Sequence, residues 1–381
     1  MPIVAYAGTT GRSQGFELLL AVGATLLLVR AVDATEGRRH PVTIGLWWLA
    51  YAIVAYLGVL VLLWSALVVA AHAVTVVVRT LQAPRRRWPT LVVAASAMLL
   101  TAAALLPFVR AVVPQSDQIG WLQQPTLEYA VVSALRTQFF SFPLVYTSLT
   151  TVTVLACVTW ALAALGLVPA VRARSGALAV LLPWLVLPTI VLLGASRYLT
   201  PVYTAHYVTY SAAPLAILVG AGVALFLPYL RGVVSALLLV AFLVPAGQVW
   251  WTVRAGVPTT PDFGAAARLL SEERRGEDGR AGLILGQMRR PADQLTIGYP
   301  EAAAGLDDLS TTSTPAEDRW LFAGRRPPLE AVDRTASLDT VWYVADNGGE
   351  IEGVTAALQE KGFTEAGRTD FRGGSLLRFT R

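Results

Sequence analysis

The sequence predicts a mainly α fold: a polytopic helical membrane bundle of about eight spans, followed by a small soluble α/β C-terminal domain. Three observations predict it. With 55% hydrophobic residues and a mean hydropathy of +0.56, the 381 residues supply too little polar surface for a soluble protein. Charge splits the chain in two: residues 1–255 hold 15 Arg against 5 acidic residues, and residues 256–381 hold 14 Arg and Lys361 against 20 acidic residues. The apolar residues of the first piece also gather in runs near the length of about 20 residues that crosses a bilayer as a helix.

The runs fall at 16–32, 43–58, 59–79, 89–109, 146–168, 177–195, 208–229 and 233–251. The stretch 43–79 is about two spans long and reads as a tight hairpin turning near Gly58. Arg38 and Arg39 precede it, and Arg79, Arg85, Arg86 and Arg87 follow it. Like-charged ends imply an even number of crossings. Arg30, Arg172, Arg174 and Arg231 fall on that same side, which the positive-inside rule makes cytoplasmic. The other side carries Arg12, Arg110, Arg136 and Arg197, and eight crossings place the N-terminus, the 110–145 loop and the C-terminal domain there. Within that loop Leu127, Ala130, Val131, Ala134, Leu135 and Phe139 recur at helical spacing behind Pro125. They predict an amphipathic helix lying on the membrane or capping a cavity, with Trp121 and Tyr129 suited to the interface.

In the tail, Thr260-Pro261 reads as a helix start with Phe263, Ala266, Ala267 and Leu270 on one face. Residues 281–286 and 339–346 read as buried strands, 350–361 as a helix and 375–380 as a closing strand. Residues 303–337 read as loop and short helix. The arginines punctuate apolar runs instead of forming a patch, which argues against nucleic acid. Cys157, the lone cysteine, excludes an intrachain disulfide and a cysteine metal site. No phosphate-cradling glycine motif stands out, so no nucleotide cofactor is expected. His72, in a helix of small residues, reads as an interhelical hydrogen bonder.

Three stretches stand out together: YAGTTGRSQGFELLLAVGATLLLVRA (6–31), QIGWLQQPTLEYAVVSAL (118–135) and RYLTPVYTAHYVTYSAAPLAIL (197–218). They resemble the bacterial GT-C glycosyltransferases, the class of protein O-mannosyltransferase-like and aminoarabinose-transferase-like enzymes. PDFGAAARLL (261–270) and GFTEAGRTDFRGGSLLRF (362–379) are similar to the start and end of the extracytoplasmic tail of such proteins. Thr10 stands where the family usually has an acidic residue, and His206 where the Arg of its Arg-Tyr pair is usual. The match begins part-way through the family's pattern. The resemblance therefore implies that an earlier span and an acidic first outer loop, which carries the catalytic carboxylate, are missing from this sequence.

The resemblance implies a multi-pass protein of the bacterial plasma membrane. It would move a sugar, mannose among the options, from a polyprenyl-phosphate to a glycan, lipid or protein outside the cytoplasm. Its partners would be that lipid-linked sugar, the acceptor and membrane lipids. No cofactor is expected, and nothing in the sequence supports a metal. Such chemistry needs cations for the leaving phosphate and a carboxylate to deprotonate the acceptor hydroxyl. Arg12, Arg197 and His206 are the candidate donor-phosphate or sugar contacts. Among carboxylates expected on the outer side, Asp117 is solvated in a loop, whereas Glu17 lies near the top of a span. An unpaired carboxylate in lipid is costly, so Arg12 is its expected partner. A non-catalytic scaffold and a transporter or flippase of lipid-linked saccharide are the competing readings.

Overall fold

The computed structural model describes residues 2–9, 13–114, 119, 122–140, 149–172, 176–228, 232–254, 261–275, 279–286, 293–318, 323–345 and 351–381. The chain divides into two compact units, Met1–Ala255 and Gly256–Arg381, at the boundary where the charge balance changes.

The first unit is helical: α1 (Pro2–Thr9), α2 (Ser13–Glu36), α3 (Pro41–Val61), α4 (Ala66–Gln82), α5 (Pro84–Val112), α6 (Leu127–Val132), α7 (Gln138–Phe140), α8 (Leu149–Arg172), α9 (Ala177–Tyr198), α10 (Ala212–Ala224) and α11 (Val233–Arg254). Among the described residues, seven helices are long and apolar enough to cross a membrane: Ser13–Glu36, Pro41–Val61, Leu63–Gln82, Arg87–Val112, Val152–Pro169, Ala177–Tyr198 and Ala205–Ala224. They coincide with seven of the eight expected runs. The eighth, 233–251, lies within α11, a helix outside that set of seven.

The hairpin between α3 and α4 turns at Leu62, whose backbone is extended, and not at Gly58. The helix runs through Gly58, where an added Cβ would make ordinary contacts with Ser65 Cβ (3.7 Å) and Leu20 Cβ (3.8 Å), so neither strain nor packing marks that glycine as a turn. Three apolar clusters knit the unit together. One joins α2, α3, α4 and α5 around Leu28, Trp48, Tyr51 and Val76. A second joins α2, α4, α9 and residues 202–210 around Ala71, Trp184 and Tyr210. A third joins α8, α9 and α10 to Ile3, Phe139 and Phe140.

Polar bonds inside the bundle pin the helices in register. His72 on α4 bridges Thr25 on α2 (2.9 Å) and Tyr51 on α3 (3.2 Å). Thr25 already donates its hydroxyl proton to the Ala21 carbonyl, so it accepts from His72 Nε2–H. Nδ1 then accepts from the Tyr51 hydroxyl. The imidazole is thus the interhelical bonder that its setting predicts. At the far end of α2, Glu36 meets Arg79 (3.3 Å) and Arg87 (3.2 Å). Those two of the arginines expected on one side therefore share one end of the bundle.

The helix expected in the 110–145 loop forms as α6, a five-residue π-helical segment Ser133–Thr137, and α7. Its apolar stripe does not all face inward. Leu127, Val131 and Leu135 are exposed, while Ser133 and Gln138 are buried. That arrangement suits an apolar solvent outside and polar bonding within. Trp160 Nε1 donates to the Leu135 carbonyl, a group that the wider π turn leaves open to an outside donor.

The second unit is an α/β layer domain. Its remaining elements are α12 (Phe263–Glu273), β1 (Ala281–Leu285), α13 (Asp293–Gly298), α14 (Pro300–Ala303), β2 (Asp307–Asp308), β3 (Thr311–Ser313), α15 (Pro315–Asp318), β4 (Gly324–Arg325), α16 (Pro328–Val332), β5 (Thr340–Ala345), α17 (Ile351–Glu360), β6 (Thr364–Phe371) and β7 (Gly374–Thr380). The main sheet runs β2-β1-β5-β7-β6. β1 pairs in parallel with β2 and β5, and β7 pairs antiparallel with β5 and β6. Central strands are buried on both faces, which explains their unbroken apolar runs. Ile284, Val341, Tyr343 and Leu377 face α16 and α17. Leu283, Leu285, Trp342 and Leu376 face α12.

Two local readings need correction. The cap of α12 is Asp262, whose carboxylate accepts from Ala265 N–H (2.9 Å); Thr260 lies outside the described residues. The stretch 303–337 contains the two-stranded ladder β3–β4 besides loops and short helices.

Candidate functional site

α9 ends in a fold-back that builds one end of the bundle. Pro201 disfavours helix in the residue before it, and the chain from Leu199 to Thr204 leaves the helix. Ser196 Oγ accepts the amides of Val202 (2.9 Å) and Tyr203 (2.7 Å), so the break leaves neither buried donor bare. The Tyr203 hydroxyl lies 3.0 Å from Ser133 Oγ and donates to Gln138 Oε1 (3.2 Å). The Gln138 amide in turn bonds Thr189 on α9 (3.1 Å). The chain then turns through a tight helix, Ala205–Ser211, kinked at Val208, and enters α10.

That turn faces α2 and the α3–α4 corner. Tyr210 donates to the Trp64 carbonyl (3.1 Å). Tyr207 packs near Trp64, ring centroids 6.3 Å apart, and the His206 ring stands edge-on to Tyr207 at 4.8 Å. His206 is half-buried, with Thr204 Oγ1 3.2 Å from its ring nitrogens. Next to Trp64, Ser65 Oγ donates to Glu17 Oε1 (3.1 Å).

Glu17 is 0% exposed, yet its Oε2 has no hydrogen-bond partner among the described residues. One turn earlier on the same face of α2, Gln14 is also buried and its Oε1 is likewise unpartnered. Two buried acceptor oxygens thus lie three residues apart on α2, Glu17 beside Ser65. Such a pair suits a ligand that brings its own donors, for instance hydroxyl groups.

The sequence candidates distribute unevenly. Glu17 and His206 are brought to the same end of the bundle, linked through Ser65, Trp64 and Tyr207. Glu17 lies near the start of α2 and is fully buried, and its partner among the described residues is Ser65; the expected pairing with Arg12 falls outside them. Arg197 is exposed on the last turn of α9, its guanidinium 5.8 Å from the neighbouring Tyr198 ring; no contact joins it to Glu17. Arg12, Thr10, Asp117 and Trp121 lie outside the described residues. Glu128 is exposed in the first turn of α6. Arg136 bonds Thr153 (3.2 Å). Gln14, Ser65, Tyr207 and Tyr210 were not singled out by the sequence. Glu17 gave the only signal for them, because a carboxylate in an apolar run requires a polar partner from another span. Among the described residues, no three His, Cys, Asp or Glu side chains converge as metal ligands.

The two shifted carboxylates outside the spans are in the tail. The amide and hydroxyl of Thr314 hold Glu317 below the usual carboxylate range. Ser375 and Arg368 do the same for Asp370. Both hold local turns: Glu317 at the start of α15 and Asp370 at the β6–β7 hairpin.

No family model, curated protein or solved structure matches this chain.

Proposed function

We propose that this protein is a membrane glycosyltransferase of GT-C type, moving a sugar from a polyprenyl-phosphate to an extracytoplasmic acceptor. The observation that carries the reading is the Glu17 carboxylate, buried in a span with half its accepting capacity unfilled, beside the turn that carries His206. In this reading an acceptor hydroxyl gives its proton to Glu17 as its oxygen bonds the anomeric carbon. The bond from that carbon to the phosphate oxygen breaks, and polyprenyl phosphate leaves with the electron pair. His206, Arg12 and Arg197 contact the phosphate or sugar in this reading. Gln14 and the surrounding aromatic side chains suit sugar hydroxyls and the apolar faces of a pyranose.

A second reading rests on the same residue. An intramembrane carboxyl is also what a proton-coupled transporter of lipid-linked saccharide employs. One experiment separates the two. The full chain is reconstituted in proteoliposomes with labelled polyprenyl-phosphate-mannose and envelope acceptors, and both transfer and translocation are measured. The transferase reading expects label on acceptor, with Glu17→Gln slower by about 10²–10⁴-fold, the usual worth of a general base. Translocation without transfer, lost in the same variant, would replace it with the transporter.

A further inference from the structure

A groove of about 550 Å³ runs along the outside of the bundle between α2, α9 and α10. Its walls are one face of α2 (Val22, Leu26 and Val29), the start of α9 (Ala177, Val180) and Ile217 on α10. Thr25 also lines it, but its hydroxyl is committed to Ala21 and His72. The long walls are therefore apolar. One lining residue is charged: Arg79, beside Gly176.

Charge, depth and length together identify an occupant. Arg79 and Arg87 share the single carboxylate of Glu36, so the cluster keeps one positive charge in excess. Arg79 Nε is buried without a hydrogen-bond partner. Depth follows from position: Arg79 is in the last turn of α4, Gly176 caps the start of α9, and exposed Trp88 opens α5. Helix ends flanked by Arg and Trp mark the headgroup level of a bilayer. From Gly176 to Trp184 the groove extends about 12 Å at 1.5 Å per residue, against a leaflet half-thickness of about 15 Å. We infer that the groove binds an anionic phospholipid, one acyl chain lying along α2 and α9 and the phosphate resting on Arg79. Its phosphate end is remote from Glu17, which lies about 28 Å along α2 from Glu36 by helix rise, and the inference does not depend on sugar transfer.

A lateral groove between α3 and α5, from Trp48 to Ala104, supplies the control, because no charged residue lines it. The full chain would be purified in mild detergent from membranes containing phosphatidylglycerol, phosphatidylcholine and polyprenyl phosphate, and retained lipid quantified by mass spectrometry. Ile217→Trp fills the first groove at an exposed position; Leu100→Trp fills the control groove. Phosphatidylglycerol should be retained by the native chain and by Leu100→Trp and lost from Ile217→Trp, with thermal melts unchanged. Arg79→Gln should lower its retention about fivefold, the worth of one basic side chain at an anionic surface. Equal retention in the native chain and Ile217→Trp overturns the inference, as does retention of polyprenyl phosphate in place of phosphatidylglycerol. Indifference to Arg79→Gln in a folded protein also overturns it.

Discussion

The crossing of α8 and α10 offers the sharpest test of the bundle's packing, because it depends on two missing side chains. An added Cβ at Gly222 would fall inside the contact radius of the Leu162 carbonyl oxygen and 2.8 Å from its carbon. An added Cβ at Gly166 would overlap the Leu218 carbonyl oxygen and lie 2.9 Å from Gly222 N. The obstacles are backbone, so no rotamer change relieves them, and the helices must separate. Small residues allow close backbone approach of this kind between membrane helices. Gly222→Ala sets two effects in opposition. Helix propensity favours Ala by about 1 kcal/mol, and overpacking costs about 1–3 kcal/mol or more. A clash with backbone belongs at the upper end of the second range, so the net loss should be about 1–2 kcal/mol. The control is two residues away: an added Cβ at Gly220 meets nothing within 4 Å, so Gly220→Ala keeps only the propensity gain. Helicity is followed by circular dichroism during a thermal melt in detergent. Gly222→Ala should melt about 2–8 °C below the native chain, and Gly220→Ala at or above it. The double variant Gly166→Ala/Gly222→Ala should lose less than the sum, because the first separation makes room for the second. If Gly222→Ala melts as high as Gly220→Ala, the close crossing is wrong.

Ser196→Ala removes the acceptor of two amides at once. It should destabilise the bundle by about 1–3 kcal/mol, seen as a lower melting temperature and faster hydrogen exchange of residues 199–204. The tail should weaken in acid. The folded-state values of Asp370 and Glu317 are depressed, so their contribution is complete above the ordinary carboxylate range, near pH 4. It is lost as pH falls through the lower folded values. Hydrogen exchange of residues 364–380 should quicken below about pH 4, and Ser375→Ala should flatten that acid dependence, a change whose absence would remove Ser375 as the cause.

Much of the architecture was legible because it depends on local composition. Spans are visible as apolar runs, and β1 and β5 as unbroken apolar strands buried on both faces. The reciprocal capping bonds between Thr314 and Glu317 belong to a stretch that reads in the sequence only as loop and short helix. Three features were hidden for physical reasons. The break at Leu62 is flanked by residues equally apolar on both sides. β6 is an edge strand with mostly exposed, polar residues, so it lacks the alternation that marks a half-buried strand. The stripe on α6 faces outward because the unit's exterior is apolar, which inverts the usual inference from periodicity. At the site, Glu17 was readable as an isolated acid in an apolar run. Its relation to Ser65, 48 residues away, and that of Tyr210 to Trp64, 146 residues away, arise only from tertiary packing.

Two carboxylates of α2, Glu17 and Glu36, differ in what their burial returns, and that difference tests the role proposed for Glu17. Glu36 answers two guanidiniums, so it returns stability for its burial, and Glu36→Gln should cost about 1–3 kcal/mol. Glu17 receives one hydroxyl hydrogen bond and leaves an oxygen bare, a poor return for a desolvated carboxyl. Glu17→Gln keeps the shape and the bond from Ser65 while removing the acid. Its melting temperature should therefore equal or exceed that of the native chain, the pattern of a residue retained for activity at the expense of stability. A thermal melt of the two variants side by side decides the matter. If Glu17→Gln loses as much as Glu36→Gln, the Glu17–Ser65 pair is a structural fastener, and the site must be sought elsewhere on the bundle.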